Sequence, residues 1–304
     1  MEKIAFIGLG AMGGPLACNV SRKQIPITVY DIAAERIAAV TDLGANAAGS
    51  VAEAARGKDV VFTCLPATQH VLDVVCGPGG VLEQLEPGAL LIELSTISPQ
   101  NGTDVVKAAC AAKGVRFMDA PIGRLVMHAI QGKSMFMVGC DDDADLARVQ
   151  HVFDAMGDTI VRCGASGTGI RAKLVNNYQV LSIAQITAEA LVLASKLGVD
   201  MEVVKSINAQ TSATNGQMQI NFANKALLGD TEPGFTCDLS HKDMTLALDA
   251  AAQARLGLPV GAAVHAVYGA TRSTKYASRD FTALLDYAAE LAGIEAPRLP
   301  AAKA

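Results

Sequence analysis

A glycine-rich turn near the start of the chain has the spacing of a dinucleotide-binding loop. Residues 8–13 satisfy the pattern G-x-G-x-x-G, directly after an apolar run and directly before a helical pattern. Gly8 permits a tight turn, Gly10 lacks the Cβ that would obstruct a pyrophosphate, and Gly13 allows close helix–strand packing, while free N–H groups at the helix start receive the phosphates. We therefore predict cofactor binding by Gly8, Leu9, Gly10, Ala11, Met12 and Gly13.

An acidic residue ends the next apolar run. Asp31 lies near the offset of about 20 residues at which a carboxylate binds the adenosine ribose hydroxyls. A carboxylate there repels a 2′-phosphate, and residues 32–34 contain no arginine to hold one. The expected cofactor is therefore NAD(H) rather than NADP(H). Asp31 also has the alternative role of capping the following helix, which does not exclude ribose binding.

A lysine and two asparagines in the second half have the chemistry to act on a carbonyl group. Lys173 and Asn177 are four residues apart, which puts them on one helix face, and Asn176 lies beside them. A carbonyl that receives a hydride develops negative charge on oxygen, and a positioned ammonium can stabilise that oxygen and deliver the proton. Taken alone, the pattern also describes an exposed helical lysine with two polar neighbours, which is the commoner case.

The first half of the chain, residues 1–163, has the pattern of a doubly wound α/β domain. Short apolar runs alternate with helical patterns, and the runs are almost continuously apolar, which is typical of parallel strands covered by helices on both faces. The predicted strands lie within residues 4–9, 27–30, 60–65, 89–94, 115–118, 134–138 and 159–162.

The second half, residues 164–296, is predicted to be an all-α domain. Small residues at 164–169 form a hinge, after which apolar residues follow at intervals of three and four as far as Gly198. This spacing predicts one long helix of roughly eight turns that joins the two domains. Helical periodicity then continues to about Leu291 without a convincing strand, and residues 297–304 are expected to form a frayed tail.

Composition argues against several classes of function. The 304 residues are 51% hydrophobic and 18% charged, with a formal net charge of −5 and no run of Lys or Arg, so we expect neither disorder nor a nucleic-acid or membrane partner. The seven cysteines are scattered and four of the histidines lack metal-ligand spacing, so no disulfide framework and no metal site is expected. No uninterrupted stretch of about 18 apolar residues occurs, and we expect a cytoplasmic protein that binds a small molecule.

Several motifs together resemble the β-hydroxyacid dehydrogenases, relatives of 3-hydroxyisobutyrate and 6-phosphogluconate dehydrogenases, over nearly the whole chain. They are the glycine turn, Leu65-Pro66, Ser95-Thr96, Asp119-Ala120-Pro121, residues 167–177 with Lys173, Asn176 and Asn177, and His241-Lys242-Asp243. The resemblance implies a Rossmann domain followed by a helical domain. It also implies hydride exchange between a nicotinamide cofactor and a small hydroxy acid or its aldehyde, in a homodimer or homotetramer.

The resemblance implies roles for residues of the second half. Lys173 matches the family's acid/base residue, and Asn177 matches the neighbour that orients the substrate, with Asn176 as a further substrate contact. Lys242 is expected to reach the nicotinamide from the second domain.

Two dipeptides of the first half follow predicted strands, where an open α/β sheet places its ligand contacts. Ser95 and Thr96 are predicted substrate contacts, and Thr96 is also a predicted cofactor contact. Capping of a helix ahead of Pro99 is their alternative role. Leu65 and Pro66 are expected to line the cofactor pocket.

The segment after Asp119-Ala120-Pro121 departs from the family pattern. Gly123 and Arg124, which replace the usual Ser-Gly, are predicted substrate contacts, and a guanidinium there suits a larger or more acidic oxyanion such as a sulfonate. With this pair, the chain looks closest to the branch of the family that reduces 3-sulfolactaldehyde with NADH. Residues 125–128 are Leu-Val-Met-His, where small polar residues are expected. A salt-bridged structural arginine is the alternative role of Arg124.

Three functions therefore compete. The first is reduction of a small acidic aldehyde, either 3-sulfolactaldehyde or a carboxylated one such as succinic semialdehyde, tartronate semialdehyde or the aldehyde of 3-hydroxyisobutyrate. The second is reduction of imines, by relatives that commonly lack the lysine. The third is non-catalytic NAD binding. The motif around Lys173 favours the first.

Overall fold

The computed structural model describes residues 2–300, which fall into two compact units. The first unit ends at Leu174 and the second begins at Val175. This division lies inside a long helix, eleven residues beyond the domain boundary that the small-residue hinge predicts at 163/164. The hinge marks the start of that helix, and the domain boundary of the sequence analysis stays a prediction.

The first unit is built on one sheet. Among the described residues, nine strands share it in the order β3-β2-β1-β4-β5-β6-β8-β7, with β9 paired to β8. The strands are β1 Ile4–Ile7, β2 Ile27–Tyr30, β3 Asn46–Ala47, β4 Val60–Thr63, β5 Leu90–Glu93, β6 Arg116–Asp119, β7 Ile122–Gly123, β8 Ser134–Cys140 and β9 Gly157–Gly164. Strands β1 to β6 pair in parallel, whereas β8 is antiparallel to β6 and β7.

Helices cover both faces of this sheet. They are α1 Gly13–Arg22, α2 Ala34–Thr41, α3 Val51–Ala55, α4 Thr68–Cys76, α5 Val81–Gln84, α6 Asp104–Ala112, α7 Val126–Ile130 and α8 Asp143–Met156, with a π-type turn at Pro99–Thr103. Alternate residues of β1 enter different cores: Ile4 and Phe6 pack in one, Ala5 and Ile7 in the other. Because both faces are buried, the strands need apolar side chains at every position, which explains the unbroken apolar runs.

The sequence prediction of a doubly wound, mostly parallel sheet is confirmed. Each of the seven predicted runs overlaps a strand, while β3 and β7 were not predicted because each has two residues and no apolar run. Residues after β1, β4 and β5 turn at the carboxyl edge of the sheet, where ligands bind in open α/β folds.

The regular structure of the second unit is helical in its described residues, apart from one isolated bridge between Thr236 and Asp280. Helix α9 Thr168–Lys196 enters it, followed by α10 Met201–Gln210, a π-type turn Gln217–Phe222, a 3-10 turn Ala226–Leu228, α11 Cys237–Gln253, α12 Pro259–Thr271, a 3-10 turn Phe281–Ala283 and α13 Leu284–Leu291. Leu181, Ala184, Ala188 and Leu191 of α9 are buried in its core, and these are residues of the predicted apolar spacing. The prediction of an all-α second domain is confirmed.

One expectation about this half needs revision. Residues 297–300 are anchored rather than frayed, since the N–H of Leu299 donates to the carbonyl of Leu227 (2.8 Å) and Arg298 forms an ion pair with Asp286. Residues 301–304 of the predicted tail lie outside the described residues.

Helix α9 is long and apolar enough to span a membrane by length and composition. Core helices of soluble proteins pass the same test, and α9 contributes buried residues to a core.

Candidate active site

The glycine turn leaves room for a pyrophosphate at one position only. Gly8 has a φ of +94°, and a Cβ on it would lie 2.3 Å from the carbonyl oxygen of Cys64. A Cβ on Gly13 would lie 2.0 Å from the carbonyl oxygen of Gly8, so the first turn of α1 packs directly against the loop. A Cβ on Gly10, by contrast, would have no atom within 4 Å. The first and third glycines thus shape the loop, and the second leaves open space beside the helix start, as a bound pyrophosphate requires.

Asp31 connects the end of β2 to this turn. Its side chain is buried, and its Oδ2 accepts a hydrogen bond from the N–H of Leu9 at 2.7 Å. Its Oδ1 accepts from the N–H of Ala33 at 2.9 Å, which supports the start of α2 without making Asp31 the capping residue itself. The carboxylate therefore lies at the glycine turn, where ribose binding needs it.

An arginine that the sequence analysis overlooked lies beside that carboxylate. Nη1 of Arg36 is 3.5 Å from Oδ1 of Asp31, and the Arg36 side chain is about half exposed. Residues 32–34 contain no arginine, but the first turn of α2 brings residue 36 back toward Asp31. The signal for Arg36 in the sequence was a basic residue in the first turn of a helix that begins at the carboxyl edge of the sheet.

Ser95 links the ends of β4 and β5. Its Oγ accepts from the N–H of Leu65 at 2.7 Å, so the two loops predicted to hold ligands are joined directly. Ser95 is buried, and Thr96 and Leu65 are half-buried. Helix capping ahead of Pro99 was the alternative role of Ser95 and Thr96. Ser98 fills that role instead, since its Oγ accepts from the N–H of Asn101 at 3.2 Å.

A buried carboxyl group supports this junction and was not predicted from the sequence. Glu93 is the last residue of β5, and its Oε1 accepts from the N–H of Ser95 at 2.6 Å. Its Oε2 accepts from the hydroxyl of Thr63 at 2.5 Å. Burial raises the pKa of Glu93 to about 7. An acidic residue inside a strand that is otherwise apolar was the signal in the sequence.

Asp119 fixes the beginning of α9. Its two carboxylate oxygens accept from the N–H groups of Gly167 (2.5 Å) and Ile170 (2.7 Å). Burial raises the pKa of Asp119, and these two hydrogen bonds oppose that rise because they favour the ionised form. A Cβ on Gly169 would lie 2.1 Å from the carbonyl oxygen of Met137, so the helix start packs directly against the sheet. The last residue of β6 therefore acts as the cap of the long helix.

Lys173 is placed by that helix start. Its side chain is half-buried, and its Nζ donates to the carbonyl of Ile122 at 2.8 Å. Ile122 directly precedes Gly123 and Arg124, so the structure brings the predicted catalytic amine to the predicted substrate segment. The sequence places these groups 51 positions apart.

Arg124 adopts the alternative role that the sequence left open. Its Nη1 donates to Oδ1 of Asp158 and to the carbonyl of Lys133, both at 2.6 Å, and its Nη2 donates to the hydroxyl of Thr159 at 3.0 Å. Hydrogen bonds from Thr159 and Arg124 lower the pKa of Asp158. This arrangement is an ion pair within the first unit, and substrate binding by Arg124 stays a prediction. Gly123 is buried in β7.

The residues predicted for the second unit form a connected polar network. Nδ2 of Asn177 donates to Oδ2 of Asp243 at 2.6 Å, and Oδ1 of Asn177 accepts from Nδ2 of Asn176 at 3.2 Å. Nζ of Lys242 lies 3.0 Å from Oδ1 of Asp243, whose side chain is 3% exposed. Asp243 was noted in a motif but not as a site residue, and it joins Asn177 to Lys242.

Comparisons with known proteins agree with this geometry. A family model described as the NAD binding domain of 6-phosphogluconate dehydrogenase matches residues 3–164, and one described as NAD-binding of NADP-dependent 3-hydroxyisobutyrate dehydrogenase matches residues 167–288.

Individual relatives match over almost their whole lengths. The chain is 37% identical to 3-sulfolactaldehyde reductase of Escherichia coli (strain K12), with 97% of this chain and 99% of that protein covered. It is 35% identical to an NAD-dependent L-serine dehydrogenase of Pseudomonas aeruginosa, covering 93% and 96%. A solved structure of Mycobacterium tuberculosis 3-hydroxyisobutyrate dehydrogenase with L-serine superposes with a TM-score of 0.86 at 32% identity, covering 95% and 99%.

The different surroundings of two glycines give a first prediction. Gly10→Ala adds a methyl group in open space, so the free energy of unfolding should change by no more than about 1 kcal/mol, while affinity for NADH falls at least tenfold because the Cβ occupies the pyrophosphate position. Gly13→Ala forces a Cβ into the carbonyl of Gly8, and should lower the free energy of unfolding by about 1–3 kcal/mol.

Urea denaturation and NADH fluorescence titration measure the two quantities separately. Unchanged NADH affinity in Gly10→Ala would show that the cofactor does not approach the backbone at residue 10.

Proposed function

Because the chain belongs to the β-hydroxyacid dehydrogenase family, we propose that it is an NADH-dependent reductase of a small acidic aldehyde, with 3-sulfolactaldehyde as the leading substrate and 2,3-dihydroxypropane-1-sulfonate as the product. Family membership confirms the resemblance of the motifs. It also establishes an oxidoreductase of CH–OH groups that binds a nicotinamide cofactor. The direction, the substrate and the choice of NADH are the proposed parts.

The position of Lys173 supports a role as the proton donor. The amine is half-buried and held by the carbonyl of Ile122, so its orientation is restricted before any substrate arrives. When bound, the nicotinamide supplies the hydride. The ammonium group of Lys173 would stabilise the developing alkoxide and protonate it, and the neutral amine would accept the hydroxyl proton in the reverse direction.

The network of Asn177 supports a role in orienting the substrate. Asp243 accepts from one amide hydrogen of Asn177, and Asn176 donates to its carbonyl oxygen, so the plane of the amide is fixed. A fixed amide loses little rotational freedom when it binds a ligand. Asp243 would hold Lys242 in the same way for contact with the cofactor, since the two charges lie 3.0 Å apart.

The substrate class depends on the segment that contains Gly123 and Arg124. The similarity to 3-sulfolactaldehyde reductase favours a sulfonate, and the similarity to L-serine dehydrogenase favours a carboxylate as the second candidate. A guanidinium is well suited to a sulfonate because it offers several donors in one plane. To bind the substrate, the guanidinium of Arg124 would have to release its ion pair with Asp158 or contact Asp158 and the substrate at once.

We also propose a cytoplasmic homodimer or homotetramer without nucleic-acid or membrane partners. Ile186 and Leu193 of α9 are 56% and 59% exposed, and Leu291 of α13 is 71% exposed. A groove of about 610 Å³ in the second unit is lined by α9, α12 and α13. Exposed apolar area of this kind is typical of surfaces that are covered in an assembly.

Replacement of Lys173 tests the catalytic proposal. Lys173→Met keeps the length of the side chain and removes the acid, so kcat for aldehyde reduction should fall by about 10²- to 10⁴-fold, while the dissociation constant of NADH stays within about twofold. Stopped-flow reduction and NADH fluorescence titration measure these quantities. Lys23→Met, an exposed lysine after α1, is the control and should leave both unchanged. Wild-type kcat in Lys173→Met would refute the assignment, and it would revive the imine reductase alternative.

Two variants of one ion pair test the substrate proposal. Arg124→Ala removes a charged hydrogen bond worth about 1.5–3 kcal/mol, so KM for a sulfonated aldehyde should rise about 10- to 150-fold. Asp158→Asn retains the guanidinium and should leave KM near the wild-type value. Initial rates with sulfonated and carboxylated short aldehydes measure both effects. If Arg124 only holds Asp158, the two variants will lose stability alike and neither will change KM.

Replacement of Asp31 tests the cofactor preference. Asp31→Ala removes the ribose acceptor and releases Arg36, so the ratio of kcat/KM for NADH over NADPH should fall by at least about tenfold. In Asp31→Ala, Arg36 is available to bind a 2′-phosphate, so kcat/KM for NADPH should rise. The double variant Asp31→Ala/Arg36→Ala should not show this rise, since the guanidinium is removed. An unchanged cofactor ratio in Asp31→Ala would exclude ribose binding by this carboxylate.

A further inference from the structure

One carboxyl group holds together two loops at the carboxyl edge of the sheet. Glu93 is 1% exposed, and the parallel register places it beside Thr63 of β4. Its Oε2 accepts from the Thr63 hydroxyl, and its Oε1 accepts from the N–H of Ser95. The side chain therefore spans the last residues of two neighbouring strands.

Ser95 extends this connection to the loop after β4. Its Oγ accepts from the N–H of Leu65, which leaves the hydroxyl proton of Ser95 to donate, and the hydroxyl interacts with the Glu93 carboxyl. Leu65-Pro66 and Ser95-Thr96 are thus connected through Ser95 to Glu93. These are the two dipeptides assigned to the cofactor and the substrate.

The surroundings of Glu93 bring its ionised and protonated forms to similar populations at neutral pH. Burial raises its pKa to about 7, and the hydrogen bonds from Ser95 and Thr63 limit the rise. The charged group that faces it is Asp119, its register partner on β6, which raises the pKa further. Asp119 itself is hydrogen-bonded to the start of α9 and influenced by Arg171. The neighbour on β4, Thr63, has no charge.

We propose that Glu93 is a positioning residue for the nicotinamide cofactor, and that NADH binds preferentially to the protein in which this carboxyl group carries a proton. Glu93 does so through Ser95 and Leu65, without a contact of its own to the cofactor. The inference rests on the proposed assignment of the two loops to the ligand site.

The sign of the effect follows from charge and hydration. NADH brings two phosphate charges to the carboxyl edge of the sheet and displaces water there, and both changes disfavour an ionised Glu93. Binding therefore raises the pKa of Glu93 and takes up a proton. Affinity should be full below the pKa of the free protein and should fall as pH rises through it, until the pKa of the complex is also passed.

Titration of NADH binding without aldehyde tests this proposal. For the wild-type protein, affinity measured by NADH fluorescence should fall about three- to tenfold between roughly pH 6 and 8.5, since a pKa rise of about one unit corresponds to tenfold. Glu93→Gln keeps a carbonyl acceptor and cannot ionise, so its affinity should be nearly independent of pH. Glu86→Gln, an exposed residue shortly before β5, should retain the wild-type dependence.

A second variant separates titration from a purely structural role. Thr63→Val keeps the shape of a buried side chain and removes a hydrogen bond that favours ionised Glu93, so the midpoint of the affinity curve should move to higher pH. A purely structural role would weaken NADH binding by the same factor at every pH. The proposal is overturned if Glu93→Gln shows the wild-type pH dependence, or if the midpoint in Thr63→Val does not move. Because no aldehyde is present, these outcomes are independent of the proposed reaction, whose failure would appear as absent turnover with normal NADH binding.

Discussion

The capping of α9 by Asp119 is the interaction on which the placement of the catalytic lysine depends. A helix begins with N–H groups that lack intrahelical partners, and an acceptor from elsewhere in the fold fixes both the position and the direction of that end. Asp119 supplies two acceptors from the last residue of β6, to Gly167 and Ile170. Lys173 follows within the next turn and reaches Ile122, three residues after Asp119. Asp119 thus holds the helix start at the end of β6, and Ile122 holds the amine itself.

The same edge contains a second buried carboxyl group, and the two are register partners. Burial of a carboxylate is unfavourable unless hydrogen bonds compensate for lost hydration. Asp119 is compensated by two backbone N–H groups, whereas Glu93 has one backbone N–H and hydroxyl groups. Burial raises the pKa of both groups and brings that of Glu93 to about 7, with the negative charge of Asp119 beside it adding to the rise. Asp119 is therefore suited to permanent capping of the helix, and Glu93 is suited to a change of charge.

Local pattern was sufficient to predict the fold, because each parallel strand shows its burial in consecutive apolar residues. It also located the glycine turn, whose spacing reflects steric requirements within a few residues. Local pattern did not predict the hydrogen-bond partners of site residues where those partners are distant in sequence. Asp158, the partner of Arg124, is 34 positions away, and Asp243, the partner of Asn177, is 66 positions away. Arg36 was missed for a different reason, because the helical return of the chain was not considered. Strands β3 and β7 are defined by pairing alone and leave no periodic signal.

The backbone at Arg124 is strained, and the contacts of its guanidinium must offset that strain. Its φ is +70°, in the left-handed region that disfavours residues other than glycine. Strain of this kind costs about 1–3 kcal/mol and persists where the surroundings enforce it. Glycine would adopt this conformation without strain, and an exposed ion pair alone contributes about 0–1 kcal/mol. The ion pair to Asp158 alone does not offset the strain, and the charged hydrogen bonds to the carbonyl of Lys133 and the hydroxyl of Thr159 supply the remainder. Contacts within the first unit therefore account for the conformation of Arg124, and they hold its guanidinium on the segment that Lys173 contacts.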